Sequence, residues 1–208
     1  MNYLIIGDVH GCFYTVRKLL EQCWERNNDC LIFLGDLVNK GKNSFEVLSF
    51  LYDLQKNNAD KVIILKGNNE ELFTEKYKAK KTDKAEKKFK KHGLDFKTTI
   101  DWLNNLPHFW ENEFIFCSHA GVSLRSDYPP EEKNKDLLYN RLALKNIGKR
   151  QYLGHIVVQR PKFNEKSNAW YLDTGAGYGK YLSAIKINEK GDLLDIYSFQ
   201  VSEDDIPY

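Results

Sequence analysis

The sequence predicts an α/β fold built on a parallel sheet, and three observations carry that expectation. The early chain alternates short apolar runs, YLIIGD at 3–8, CLIFLGD at 30–36 and KVIILKGN at 61–68, with segments of helical apolar spacing. That is the βαβαβ order of parallel strands joined by crossover helices. The three runs are continuous in Ile, Leu, Val and Phe, as in strands buried on both faces. In the second half, AWYLDTGAGYG, YLSAIKIN and LLDIYSFQV are strand-like runs separated by glycine turns with no helix between them, which predicts a mixed or second sheet.

The first connecting segment, Phe13 to Asn27, places Val16, Leu19, Leu20, Cys23 and Trp24 on one helical face. The second, Ser44 to Gln55, does the same with Phe45, Val47, Leu48, Leu51 and Leu54, and Ser44 is a candidate N-cap. Two further apolar runs, FIFCSH at 114–119 and YLGH at 152–155, follow in the second half. Trp102 and Trp110, around LPHFW, are read as core packing.

Composition narrows the class. A chain of 208 residues with 42% hydrophobic and 29% charged residues is neither disordered nor membrane-embedded in character. It is read as one domain, 1–208. A formal net charge of +2 is too balanced to imply a nucleic-acid or membrane partner. The charge is unevenly spread: 76–91 holds nine lysines and two acids, a balance of +7, leaving −5 elsewhere. This lysine-rich segment reads as a helical or mobile insertion, either a solvated face or a basic lip that draws in anions. Cys12, Cys23, Cys30 and Cys117 form no C-x-x-C pair. With an N-terminus unlike a signal peptide, they read as reduced apolar filler in a cytoplasmic protein.

The chemistry gathers at the ends of the apolar runs. Each of the five ends in a residue able to bind a metal: Asp8, Asp36, Asn68, His119 and His155, with His10 two places after Asp8. In four of them a glycine directly precedes that residue. Open α/β sheets bind ligands at the carboxyl ends of their strands. Two carboxylates, three imidazoles and one amide suit Mn, Fe, Zn or Co rather than Ca. Six ligands exceed what one tetrahedral ion needs and fit two ions about 3.5–4 Å apart that share a carboxylate. The remaining histidines, His92 and His108, lie at no strand end.

The motifs GDVHG at 7–11, GDLVNKG at 35–41, GNNE at 67–70, SHAG at 118–121 and GH at 154–155 resemble the metallophosphoesterase signature. DTGAGYGKYLSAI at 173–185 is similar to a strand pair of its phosphoprotein-phosphatase branch, which includes Ser/Thr phosphatases and symmetrical diadenosine-tetraphosphate hydrolases. The resemblance implies a four-layer α/β/β/α sandwich with mixed sheets. It also implies a ligand set: Asp8 and His10 on a first ion, Asp36 bridging, and Asn68, His119 and His155 on a second. The ions would be divalent, Mn first, with Fe, Zn, Co or Mg as alternatives. A bridging hydroxide would attack phosphorus in a phosphate ester or anhydride. The substrate would be a phosphoprotein, a nucleotide or a small phosphoester, and Arg141, in LLYNRL, resembles a phosphate-binding arginine of the branch.

Three positions depart from the pattern. Where the family has VDRG, an Asp that orients a His and an Arg that grips phosphate, this chain has Asn39 and Lys40; where the family has GNHE, whose His is the general acid, it has Asn69. An amide gives no proton at neutral pH, and lysine lacks the bidentate fork of arginine. Two expectations follow: a hydrolase of substrates with weakly basic leaving groups, or a degraded relative that binds metal and a phosphorylated ligand without turnover.

Overall fold

The early apolar runs form β1 (Asn2–Ile6), β2 (Asp29–Phe33) and β3 (Val62–Ile64), which pair in parallel with Ile6 opposite Phe33 and Phe33 opposite Ile64. This computed structural model describes residues 1–79 and 83–207, so Lys80, Lys81 and Thr82 of the lysine-rich segment lie outside the described residues. Two long strands, β9 (Tyr181–Ile187) and β10 (Leu193–Gln200), add antiparallel to β1, giving the order β10-β9-β1-β2-β3. The second sheet contains β4 (Phe109–Glu111), β5 (Ile115–Ser118), β6 (Arg150–Leu153), β7 (Lys162–Asn164) and β8 (Ala169–Tyr171). Its order is β4-β5-β6-β8-β7, with β5, β6 and β8 parallel and the two edges antiparallel.

Strand geometry sorts the side chains into layers. Successive residues point to opposite faces. Leu4, Ile6, Leu31 and Phe33 therefore face the helices, while Ile5, Ile32 and Leu34 face the other sheet. There they meet Ile115, Cys117, Tyr152 and Leu172 from the second sheet. The helix layer contains α1 (Phe13–Cys23), α2 (Ser44–Asn57), α3 (Asn68–Ala79), α4 (Asp83–Lys91) and α5 (Phe96–Asn105). The outer face of the second sheet is covered by Val122 and by Leu137 of the short helix α6 (Asp136–Tyr139). This is the α/β sandwich of two mixed sheets that the resemblance implies.

Two local details differ from the sequence reading. The first helix stops at Cys23 rather than Asn27, because Asp29 folds back on the chain: its carboxylate accepts the Glu25 N–H at 2.9 Å and its carbonyl the Trp24 indole N–H at 3.2 Å. Ser44 is the first helical residue of α2 rather than its cap, and its hydroxyl accepts the N–H of Asn39 at 3.0 Å. The four cysteines are free and buried, as expected. Trp110 packs on Tyr3 with ring centres 5.0 Å apart, and Trp102 packs against the helix layer.

The lysine-rich segment is helical on both sides of residues 80–82. Phe89 is fully buried, with the rings of Phe45, Tyr77 and Phe96 at 5.0, 5.1 and 5.0 Å. The described lysines of the segment stay exposed around that anchor. Phe89→Ala is therefore expected to lower unfolding stability by about 3–5 kcal/mol while leaving metal affinity unchanged, which denaturant melts and metal titrations would check.

Candidate functional site

All six donors lie just beyond the C-terminal ends of parallel strands: Asp8 and His10 after β1, Asp36 after β2, Asn68 after β3, His119 after β5 and His155 after β6. The two sheets face each other, so these loops converge. Glycines permit the approach. A Cβ on Gly154 would overlap a carboxylate oxygen of Asp8. Gly35 and Gly67 pack backbone to backbone, with no room for a side chain on either.

The donors form two adjoining groups. His119 Nε2, Asn68 Oδ1 and His155 Nδ1 lie 3.0–3.1 Å from one another, and Asp36 Oδ1 is 3.4 Å from His119 Nε2. In the other group, His10 Nε2 is 3.7 Å from Asp8 Oδ2 and 3.5 Å from Asp36 Oδ2. Asp36 thus turns one oxygen to each group.

Hydrogen bonds set the histidine tautomers. His119 Nδ1–H donates to the Leu34 carbonyl at 3.0 Å and His10 Nδ1–H to the Val38 carbonyl at 3.1 Å. Each Nε2 is then a lone pair aimed into the site. His119 Nε2 and Asn68 Oδ1 are two acceptors facing each other, an arrangement that a cation between them satisfies. An ion held about 2.0–2.2 Å from each donor would set neighbouring donors about 3.0–3.5 Å apart, which matches the second group. The donor set therefore fits divalent ions.

Electrostatics agree with that fit. Burial, with the charges of Asp173 and Asp36, pushes the Asp8 carboxyl well above its ordinary range. Burial alone would also raise Asp36, but His119, His10 and two hydrogen bonds from Asn69 outweigh it and hold the carboxyl below its usual value. His155 falls to about 4, chiefly through burial, with the neighbouring His119 and Arg141 lowering it further, so it is neutral and able to coordinate. His10, Asp36 and His155 all adopt left-handed backbone, with φ of 47°, 50° and 60°. Strain of this kind costs roughly 1–3 kcal/mol per residue and collects at functional sites.

The positions that depart from the family pattern form a chain. Asn39 Nδ2 donates to Asn69 Oδ1 at 2.9 Å, and Asn69 Nδ2 donates to Asp36 Oδ2 at 2.5 Å. The Asn69 backbone N–H adds a bond of 2.8 Å to Asp36 Oδ1. Lys40 Nζ lies 2.7 Å from His10 Nε2. Arg141 is exposed in the turn after α6, and its charge is felt at His155. His92 stacks on Phe45 at 5.0 Å and pairs with Glu46 at 3.2 Å, outside the site.

Sequence reasoning assigned no role to Glu70 or Asp173. Glu70 is fully buried, and its carboxylate accepts the N–H groups of Asp36, Leu37 and Gly67, each at 2.8 Å. It ties the loop after β2 to the loop after β3. Burial and the Asp36 charge raise it to about 7. Asp173 follows β8 at the same end of the sheet and accepts the Gly175 N–H at 2.9 Å. The signal for Glu70 was present, an acid beside a ligand in GNNE; for Asp173 it was an Asp-Thr-Gly turn at a strand end.

Such a fold, with ligand-bearing loops at the ends of two facing mixed sheets, defines a class of metal-dependent phosphoesterase. The chain belongs to the calcineurin-like phosphoesterase family, which it matches over residues 1–183. It is 30% identical over 178 residues to a symmetrical bis(5'-nucleosyl)-tetraphosphatase of Buchnera aphidicola subsp. Schizaphis graminum, covering 83% of this chain and 61% of that relative. It is 33% identical over 121 residues to the serine/threonine-protein phosphatase 2B catalytic subunit A2 of Saccharomyces cerevisiae, covering 57% of this chain and 19% of that protein. The chain thus spans less than two thirds of these curated relatives. A crystal structure of a candidate diadenosine tetraphosphatase superposes with TM-score 0.74 at 21% identity, covering 97% of this chain and 94% of the other. A serine/threonine phosphatase of Saccharomyces cerevisiae gives TM-score 0.69 at 19% identity, covering 98% and 81%.

Two outcomes test this geometry. Ion binding favours the ionised form of Asp8, whose carboxyl burial holds above its ordinary range, whereas His155, with its pKa lowered to about 4, is already neutral above pH 5. Affinity therefore rises with pH, and the Tm increase caused by Mn²⁺ is expected to be larger at pH 7.5 than at pH 5.5. Glu70→Gln, which puts an amide NH₂ against two of these N–H donors whichever way it is turned, is expected to weaken Mn²⁺ binding about 10–100-fold, measurable by calorimetric titration.

Proposed function

We propose that the chain is a two-metal phosphoesterase acting on substrates whose leaving group departs without a proton, foremost the phosphoanhydrides of nucleotides. The observation that carries this reading is the convergence of six donors around Asp36, whose two oxygens face His119 and His10 at 3.4 and 3.5 Å. In this reading Asp8, His10 and Asp36 hold one ion, and Asp36, Asn68, His119 and His155 hold the other. Two divalent ions bound there supply an acidified water as nucleophile and stabilise charge at phosphorus.

The residues around the ions position rather than donate. Asn69 is committed to Asp36 and Asn39, so it fixes the bridging carboxylate and offers no acid. Missing general-acid catalysis costs about 10²–10⁴-fold when the leaving group is an alkoxide such as a serine oxygen. It costs little when the leaving group is a phosphate. In this reading Lys40 and Arg141 are the cations that face the equatorial oxygens of a bound phosphoryl group. The names of the tetraphosphatase relatives point to the same anhydride chemistry. A cytoplasmic setting is supported by four free cysteines, and no helix of the described residues is long and apolar enough to cross a membrane.

The test is turnover by the Mn²⁺-loaded protein of three substrates: a bis(5'-nucleosyl) tetraphosphate, p-nitrophenyl phosphate and a phosphoserine peptide, with Asp36→Asn as control. We expect the first two to turn over and the third to lag by about 10²–10⁴-fold. Restoring the acid pair with Asn39→Asp and Asn69→His together should raise the phosphoserine rate selectively. If no substrate exceeds the Asp36→Asn control while two ions are bound, the reading gives way to a phosphoryl-ligand binding protein.

A further inference from the structure

Lys40 is held in an unusual place. It follows Asn39 in left-handed backbone, with φ of 68° and 64° for the two residues, and its side chain lies back over His10. Nζ is 2.7 Å from His10 Nε2 and 4.7 Å from the centre of the Tyr178 ring. The space for it is built in: a Cβ on Gly177 would fall 2.6 Å from Lys40 Cδ and 2.7 Å from His10 Cδ2. His10 Nδ1–H is already spent on the Val38 carbonyl. The single lone pair on Nε2 therefore accepts from the Lys40 ammonium, and it cannot serve a metal ion at the same time.

We propose that Lys40 is an internal cation that competes for the first metal position, so that the two subsites fill in order. Among the described residues, no lysine lies on the donor atoms of the second subsite, Asp36, Asn68, His119 and His155, and that subsite fills first. An ion enters beside Asp8 and His10 only when Lys40 swings off Nε2. The exposed Tyr178 ring, which already has Nζ over its face at 4.7 Å, can keep hold of the ammonium as it moves off Nε2. A bound phosphate would offer Lys40 another partner. Phosphate and the first-subsite ion then favour each other's binding, because each gains from the same movement of Lys40. This inference rests on the metal-binding reading above and is independent of whether any substrate is hydrolysed.

Titration of the metal-free protein with Mn²⁺, following free Mn²⁺ by electron paramagnetic resonance, tests it. Wild type is expected to bind one ion tightly and a second about tenfold or more weakly. Lys40→Met should tighten the weaker step by about tenfold and leave the tighter step alone. Lys40→Asn, which suits left-handed backbone, should do the same, and metal-free melting curves would show that both variants fold. Inorganic phosphate should tighten the weaker step in wild type and not in Lys40→Met. Two equal steps in wild type, or variants with the wild-type profile, would overturn the ordered filling while leaving the metal reading intact. No ion bound by any form would overturn both.

Discussion

The site depends on one buried carboxylate. Glu70 accepts three backbone N–H groups that no strand ladder reaches, those of Asp36, Leu37 and Gly67. Buried N–H groups without partners cost about 1–3 kcal/mol each, so this side chain is what allows two loops to run side by side at the sheet end. The glycines follow from it. Gly35 and Gly67 must pack backbone to backbone for the carboxylate to span the loops, and any Cβ there would push them apart. Asp36 is then held from three directions. Glu70 grips its N–H, Val9 and His10 donate to its carbonyl at 3.1 and 2.7 Å, and Asn69 donates to its carboxylate.

The Asn39–Asn69–Asp36 chain gives both amides a structural role. In the family pattern an acid orients a histidine that gives a proton away. In this molecule two amides orient each other, and the second fixes a metal-facing carboxylate. An amide supplies a donor and an acceptor at every physiological pH, so this arrangement does not titrate.

The central strands, and the residues that gather at their ends, were legible in the sequence because both are local signals. A continuous apolar run marks a doubly buried strand, and a glycine followed by Asp or His at its end marks the turn into the site. The short edge strands β4 and β7, three residues each, carry too little pattern to read. Glu70 is an acid in the first turn of α3, where the helix dipole favours one anyway; its burial comes from a loop more than 30 residues away in sequence. Ser44 satisfied a capping rule locally, yet the N–H of Asn39 claimed its hydroxyl. The contact of Lys40 with His10 depends on backbone angles at two successive residues, for which Asn-Lys gives no notice.

The left-handed backbone at His10, Asp36 and His155 has a consequence for what this framework can become. Among residues with side chains, only Asn, Asp and His enter that region readily. Any replacement ligand at these three positions is drawn from the same short list, and Glu and Cys, common ligands elsewhere, would carry a conformational penalty before meeting an ion. At these three positions one oxygen or nitrogen donor can replace another at little conformational cost, whereas a thiolate carries that penalty. The φ angles at these three positions therefore act as a filter on ligand chemistry.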